Sequence, residues 1–192
     1  MKYLIIATAS IVFLLMSYTY HLPDKVNIDN NALQQVLAKK RIRTISCTPD
    51  WNTFNLTREE IHQMIPLPGT GIHTWKISTN NDSAQFYFNQ GINLYYGFHI
   101  IEALPSFKKA QTFDSTCAIL YWAEALAYGP NINDFGYAAS PAALIATKKA
   151  IDLSNKATDK EKALIKAMHV RYSEDSIQKR EFLNQQYADF MK

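Results

Sequence analysis

Five histidines and two cysteines are the first residues to weigh for chemistry in this 192-residue chain. A metal site built on one helix needs ligands one turn apart, or a Cys-x-x-Cys pair with the spacing of a zinc or redox motif. His21, His62, His73, His99 and His169 meet neither condition. Cys47 and Cys117 lie in different regions, and nothing in their placement calls for a disulfide. Among the carboxylates, Glu59-Glu60 reads as part of a helix cap, not as an acid–base pair. Glu102 and Glu124 fall on different helices, near enough in the chain to meet, with nothing to perturb their acidity. There is no Gly-x-Ser-x-Gly elbow and no His-Glu-x-x-His, and Gly69-x-Gly71 is too sparse for a phosphate loop. Asn55 and Asn81 head glycosylation sequons that matter only in a eukaryotic secretory host. The expectation is a protein without catalytic residues, metal or cofactor, which works by binding.

The elements that must position a binding surface are preceded by a distinct N-terminus. Lys2 is followed by an uncharged apolar run from Tyr3 to Tyr20. A charged start and an apolar stretch form an export signal, and this one is about long enough to cross a bilayer as a helix. No small-x-small cleavage site follows it closely, which favours an uncleaved anchor over a cleaved signal peptide. Both readings place the remainder outside the cytoplasm. The net charge of +3 is scattered, and the basic run Lys39-Lys40-Arg41-Ile42-Arg43 is a solvated segment rather than a nucleic-acid face. Residues 1–22 are thus expected to be signal or anchor, 23–82 a connector with short helices and an extended stretch, and 83–192 a helical domain.

Local signals fill in the connector and the domain. Thr57-x-x-Glu60 is a capping box, with a short helix through about Met64. Pro66, Pro68, Gly69 and Gly71 stop regular structure, and residues 72–77 should be extended, packing Trp75 and Ile77 on the helical domain. Asp82 with Gln85 can cap a first long helix, which Gly97 ends in a left-handed conformation. A second carries Ile101, Leu104 and Phe107, with Pro105 inside it to bend it or delay its start. Asp114-Ser115 opens a third, ended by Gly129-Pro130. Ser140-Pro141 starts a fourth, the box Thr158-x-x-Glu161 a fifth, and a sixth begins near Ser176.

These helices fall into a repeat. The tetratricopeptide pattern is a helix pair of about 34 residues, W-x2-L-G-x2-Y followed by A-x3-F. Counted from Ala84, it falls on Tyr87, Gln90, Gly91, Leu94, Ala103, Phe107 and Ser115. Gly91 and Ala103 let the two helices approach, and Tyr87 and Phe107 fill the space around them. A second unit places Tyr121, Ala125 and Tyr128 against Ala143, Thr147 and Ala150 after a long link. A third starts near Lys160 with Ala163, Ala167 and Val170. This count gives units of about 84–117, 118–157 and an incomplete 158–192.

The stretches Ile77-Ser-Thr79, Ala84 to Phe98, Glu102-Ala103, Ser106-Phe107-Lys108, Cys117-Ala118, Tyr121-Trp122 and Gly129-Pro-Asn-Ile-Asn133, with Pro66-Leu-Pro-Gly69-x-Gly71 upstream, resemble a bacterial family of exported tetratricopeptide-repeat proteins. The resemblance covers about residues 62–191. It implies an all-α solenoid of antiparallel helix hairpins, with no catalytic activity, and members that usually continue into further repeats. This chain stops inside a helix, as if truncated. It also departs from the family at Phe98-His99-Ile100, where an Asn-His pair is usual.

In such arrays the first helix of each pair lines the concave face. That projection selects Gln85, Phe88, Ile92, Tyr95 and Tyr96 from one helix and Ile119, Trp122 and Leu126 from the next. An aromatic groove edged by amides suits a peptide, unless residues 62–80 or missing repeats fill it. The loop residues Asn131, Asn133 and Asp134 form a second candidate. The expected function is a non-catalytic adaptor that binds a protein or peptide in the periplasm. The alternative is an accessory part of a larger enzyme or metal protein. Expected partners are a protein or peptide ligand, the membrane through the N-terminal segment, no nucleic acid, and another copy through the last helix.

Overall fold

The computed structural model describes residues 56–129, 139–175 and 178–192. The expected anchor, the connector up to residue 55, and the loop with Asn131, Asn133 and Asp134 lie outside them. The described chain is all-α. Seven helices occur among the described residues: α1 (Arg58–His62), α2 (Asp82–Tyr96), α3 (Ile100–Phe113), α4 (Ala118–Ala127), α5 (Pro141–Leu153), α6 (Asp159–Arg171) and α7 (Arg180–Phe190). A 3-10 turn, Ser154–Lys156, links α5 to α6. Packing is in sequential pairs, α2 on α3, α4 on α5 and α6 on α7, with α3 against α4 and α6 against both α4 and α5. No described helix is long and apolar enough to cross a membrane.

The pairing follows from side-chain size at the crossings. Gly91 and the buried Ala103 lie on facing helices, α2 and α3, and a Cβ added to Gly91 would overlap the Phe107 ring. Ala123, Ala125 and Ala127 on α4, with Ala143, Ala146 and Ala150 on α5, are likewise buried. Small residues allow close axes, and large ones such as Phe88, Phe107 and Leu104 fill the flanking volume at crystal-like density.

Several helix ends form as their sequences predict. Thr57 and Glu60, and Thr158 and Glu161, complete reciprocal capping boxes. Ser140 Oγ accepts from the Ala143 N–H, with Pro141 in the first turn. Other ends differ. The α2 cap is Asn81, whose Oδ1 accepts from the Ala84 N–H, so Asp82 is already helical. Asp114 ends α3 instead of opening α4. Its Oδ1 accepts from the Thr116 N–H and hydroxyl, which makes a tight turn, and α4 starts after Cys117. α3 begins at Ile100 and runs through Pro105, so the proline does not delay its start. α7 starts at Arg180, later than Ser176, which lies outside the described residues.

The end of α2 departs from expectation as well. Gly97 has φ −80°, and the left-handed position falls on Phe98 at φ 63°. Phe98 N donates to the Tyr95 carbonyl and His99 N to the Leu94 carbonyl, the two bonds of a Schellman motif. A side chain in that conformation costs roughly 1–2 kcal/mol, and the Phe98 ring is 78% exposed, so it recovers little by burial. Phe98→Gly should therefore stabilise the chain by about 1 kcal/mol, read as a higher urea midpoint. An unchanged or lower midpoint would show that the ring is held by contacts of its own.

Candidate functional site

Before entering α2 the chain wraps around it. Residues 64–67 lie on one face: Tyr87 Oη donates to the Met64 carbonyl, and Leu67 N donates to Gln90 Oε1. Gln90 is buried and donates through Nε2 to Ser106 Oγ, tying this face to α3. Lys109 Nζ donates to the His62 carbonyl, and burial pulls its ammonium below the usual lysine range. The strap then crosses over at Gly69 (φ 72°) and Gly71 (φ 107°), conformations that glycine adopts without strain.

On the other face it runs antiparallel to α2 over three amides spaced one turn apart. Asn93 accepts from His73 N at 3.2 Å and donates to the His73 carbonyl at 2.8 Å. Asn89 Oδ1 accepts from Trp75 N at 3.1 Å, while Gln85 Nε2 donates to the Trp75 carbonyl at 2.9 Å. Gln85 Oε1 accepts from Ile77 N at 3.1 Å. The amides also orient each other: Gln85 Nε2 donates to Asn89 Oδ1 and Asn93 Nδ2 to the Asn89 carbonyl. The geometry is simple. Side chains four residues apart on a helix rise about 6 Å, close to the two-residue repeat of an extended chain. A ladder at i, i+4 and i+8 therefore meets alternate residues of a strap.

Side chains complete the mooring. The Trp75 ring stands edge-on to Phe88 (centroids 5.3 Å apart) and Trp122 (5.6 Å), with Lys160 Nζ 5.5 Å from its centre. Ile77 is buried. Ser78 N donates to Glu161 Oε1 at 2.8 Å, and the Thr79 hydroxyl donates to Asp114 Oδ2 at 2.6 Å. The strap thus touches α2, α4 and α6 together. Trp122 Nε1–H is buried with no hydrogen-bond acceptor among the described residues.

Of the residues selected from sequence, Gln85 is a rung of the ladder, while Phe88 and Trp122 form the walls that hold Trp75. Ile92, Ile119 and Leu126 are buried in the core. Tyr95 is half-buried and Tyr96 exposed, their rings edge to face at 5.3 Å. Burial raises the Tyr95 phenol, and nearby Arg171 works against that rise. Arg171 in turn lies over the Tyr187 ring at 4.7 Å. Asn89 and Asn93 were not selected. Their signal is legible in hindsight: amides one helical turn apart, preceded by a Pro/Gly break and an extended stretch.

The buried titratable groups between the helices are engaged in structure. Between α3 and α4, Glu124 is held by Lys108 and by Gln111 Nε2 at 2.7 Å. Burial alone would lower the Lys108 ammonium, but Glu124 and Tyr128 beside it raise it above the ordinary value. Glu102 has its own neighbour, His99 Nδ1 at 4.0 Å. A cleft of about 380 Å³ lies where the strap meets the α3–α4 turn, lined by Ser78, Asn81, Asp114, Cys117 and Lys156 among others. Burial pushes the Cys117 thiol up to about 11, so it is not a nucleophile near neutrality. Burial would raise the Asp114 carboxyl, but hydrogen bonds from Thr79 and Thr116 hold it below its ordinary value, fixing the turn. Among the described residues no three His, Cys, Asp or Glu side chains come together as a metal would require. Comparison with family models, curated proteins and solved structures gives no match.

Proposed function

We propose that the chain is a non-catalytic helical-repeat adaptor of the tetratricopeptide type, exported to the extracytoplasmic side of a bacterial membrane by its N-terminal apolar segment. It binds a protein or peptide on the face shared by α2, α4 and α6. The repeat reading is supported by sequential helix pairs with small residues at their crossings: Gly91 with Ala103, and Ala125 with Ala143 and Ala150. The binding reading rests on one observation: this face already holds an extended chain through side-chain amides and an aromatic slot. Peptide recognition by extended-chain addition uses the same parts, main-chain hydrogen bonds for affinity and pockets for alternate side chains.

The exposed end of that face is the place to test it. Tyr95→Ala with Tyr96→Ala should reduce capture of an extracytoplasmic partner by the full chain at least tenfold, with little change in thermal unfolding. Capture that survives both changes in a folded protein rules out this face as the binding surface.

A further inference from the structure

The strap is bound in the manner of a ligand. No backbone–backbone hydrogen bond among the described residues involves residues 71–80. From His73 to Ser78 the main-chain bonds go to side chains of α2 and α6. Such a ladder reads the backbone of any extended chain. Selectivity comes from the two side chains that point inward, Trp75 into the Phe88–Trp122 slot and Ile77 into the core. The stretch before them is exposed, Ile72 fully so at 99%, and it can lift from the glycine crossover without breaking a helix. The Nε1–H of Trp122, the residue that forms one slot wall, has no acceptor among the described residues.

Building on the adaptor reading above, we propose that Gln85, Asn89 and Asn93 with the Phe88–Trp122 slot form a site for an extended peptide carrying a large aromatic residue two places before an aliphatic one. Residues 73–77 are its occupant in cis, and the external peptide displaces them. A tethered occupant acts at an effective concentration on the order of millimolar, so apparent affinity for an outside peptide falls by the fraction of time the site is open. Anything that loosens the strap therefore raises affinity without touching the site.

The test uses the full chain and a fluorescein-labelled peptide of residues 72–79, followed by anisotropy. Trp75→Ala empties the slot. Gly71→Val strains the strap at its other end, where φ is 107°, a conformation valine rarely adopts, with no core side chain altered. Both variants should bind the peptide at least tenfold more tightly than the unaltered chain. Asn89→Leu added to either should remove the gain, as should replacing the tryptophan of the peptide by alanine. Should Trp75→Ala fail to fold by circular dichroism, the exposed Gly71→Val variant decides alone. Folded variants that bind no tighter than the original, or a gain that survives Asn89→Leu, overturn the proposal. Capture of other peptides by an opened chain independently of Asn89 would overturn it too, while leaving the adaptor reading in place. The occupant is a segment of another protein, as the adaptor reading requires, so by light scattering the Gly71→Val chain should stay monomeric while it binds the peptide. Concentration-dependent dimers would overturn this by showing residues 73–77 of a second copy in the site.

Discussion

Gly91→Ala should lower stability by about 2 kcal/mol, although alanine is the better helix former by about 1 kcal/mol. Steric overlap sets the sign. The new methyl would fall 2.6 and 2.9 Å from Cδ1 and Cζ of Phe107, and nearer still to Cε1. Phe107 is fully buried and its ring has no free direction. α2 and α3 would have to separate, and that crossing is the most extensive helix contact in the described chain. Urea unfolding followed by circular dichroism measures the loss. In a Phe107→Leu background the clash partner is smaller, so Gly91→Ala should then cost less than half as much. A cost that is equal in both backgrounds would mean that the close approach at Gly91 does not set the spacing of the two helices.

Glu161→Ala should cost more, about 3 kcal/mol, because one buried carboxylate serves two elements. Its Oε2 accepts from Thr158 N at 2.8 Å and from the Thr158 hydroxyl at 2.9 Å, completing the α6 cap. Its Oε1 accepts from Ser78 N, fixing the strap. Alanine would leave both amides without acceptors at a position only 2% exposed. Glu161→Gln keeps one acceptor oxygen but turns an N–H toward the other donor, so it should fall between the two. Denaturant unfolding gives the order, and hydrogen exchange gives the cause: the Ser78 and Thr158 amides should both lose protection. Retained protection at Ser78 in the alanine variant would show that the strap is held without Glu161.

What could be read from sequence was local or steric. The two capping boxes and the Ser140-Pro141 start depend on residues within one turn of each other, and they form as expected. Gly91 with Phe107 was legible because small and large residues recur in a fixed phase. The failures are of two kinds. Adjacent residues competed for one role, and the neighbour won: Asn81 over Asp82 as cap, Phe98 over Gly97 in the left-handed position. The other kind is non-local. The one-turn spacing of Gln85, Asn89 and Asn93 is visible, but nothing local assigns each amide its backbone partner in the earlier segment. Nor does the capping role of Glu161 reveal that its second oxygen reaches a residue 83 positions away. The groove-facing side of α2 could therefore be chosen from the helix phase and residues 62–80 named as one candidate occupant, while the rungs that hold them could not.

That long reach has a consequence for how the molecule assembles. Helix hairpins close short loops and can form early, one after another, as the chain is made. The strap precedes all of α2 to α7 in the chain, yet its own docking needs the tryptophan of α4 and the glutamate of α6. The segment synthesised before the repeats can meet the α2 amides early, but the Ser78 amide stays hydrated until α6 brings Glu161. Until then the strap hangs from one helix alone, and its last anchor closes only when the third hairpin is made.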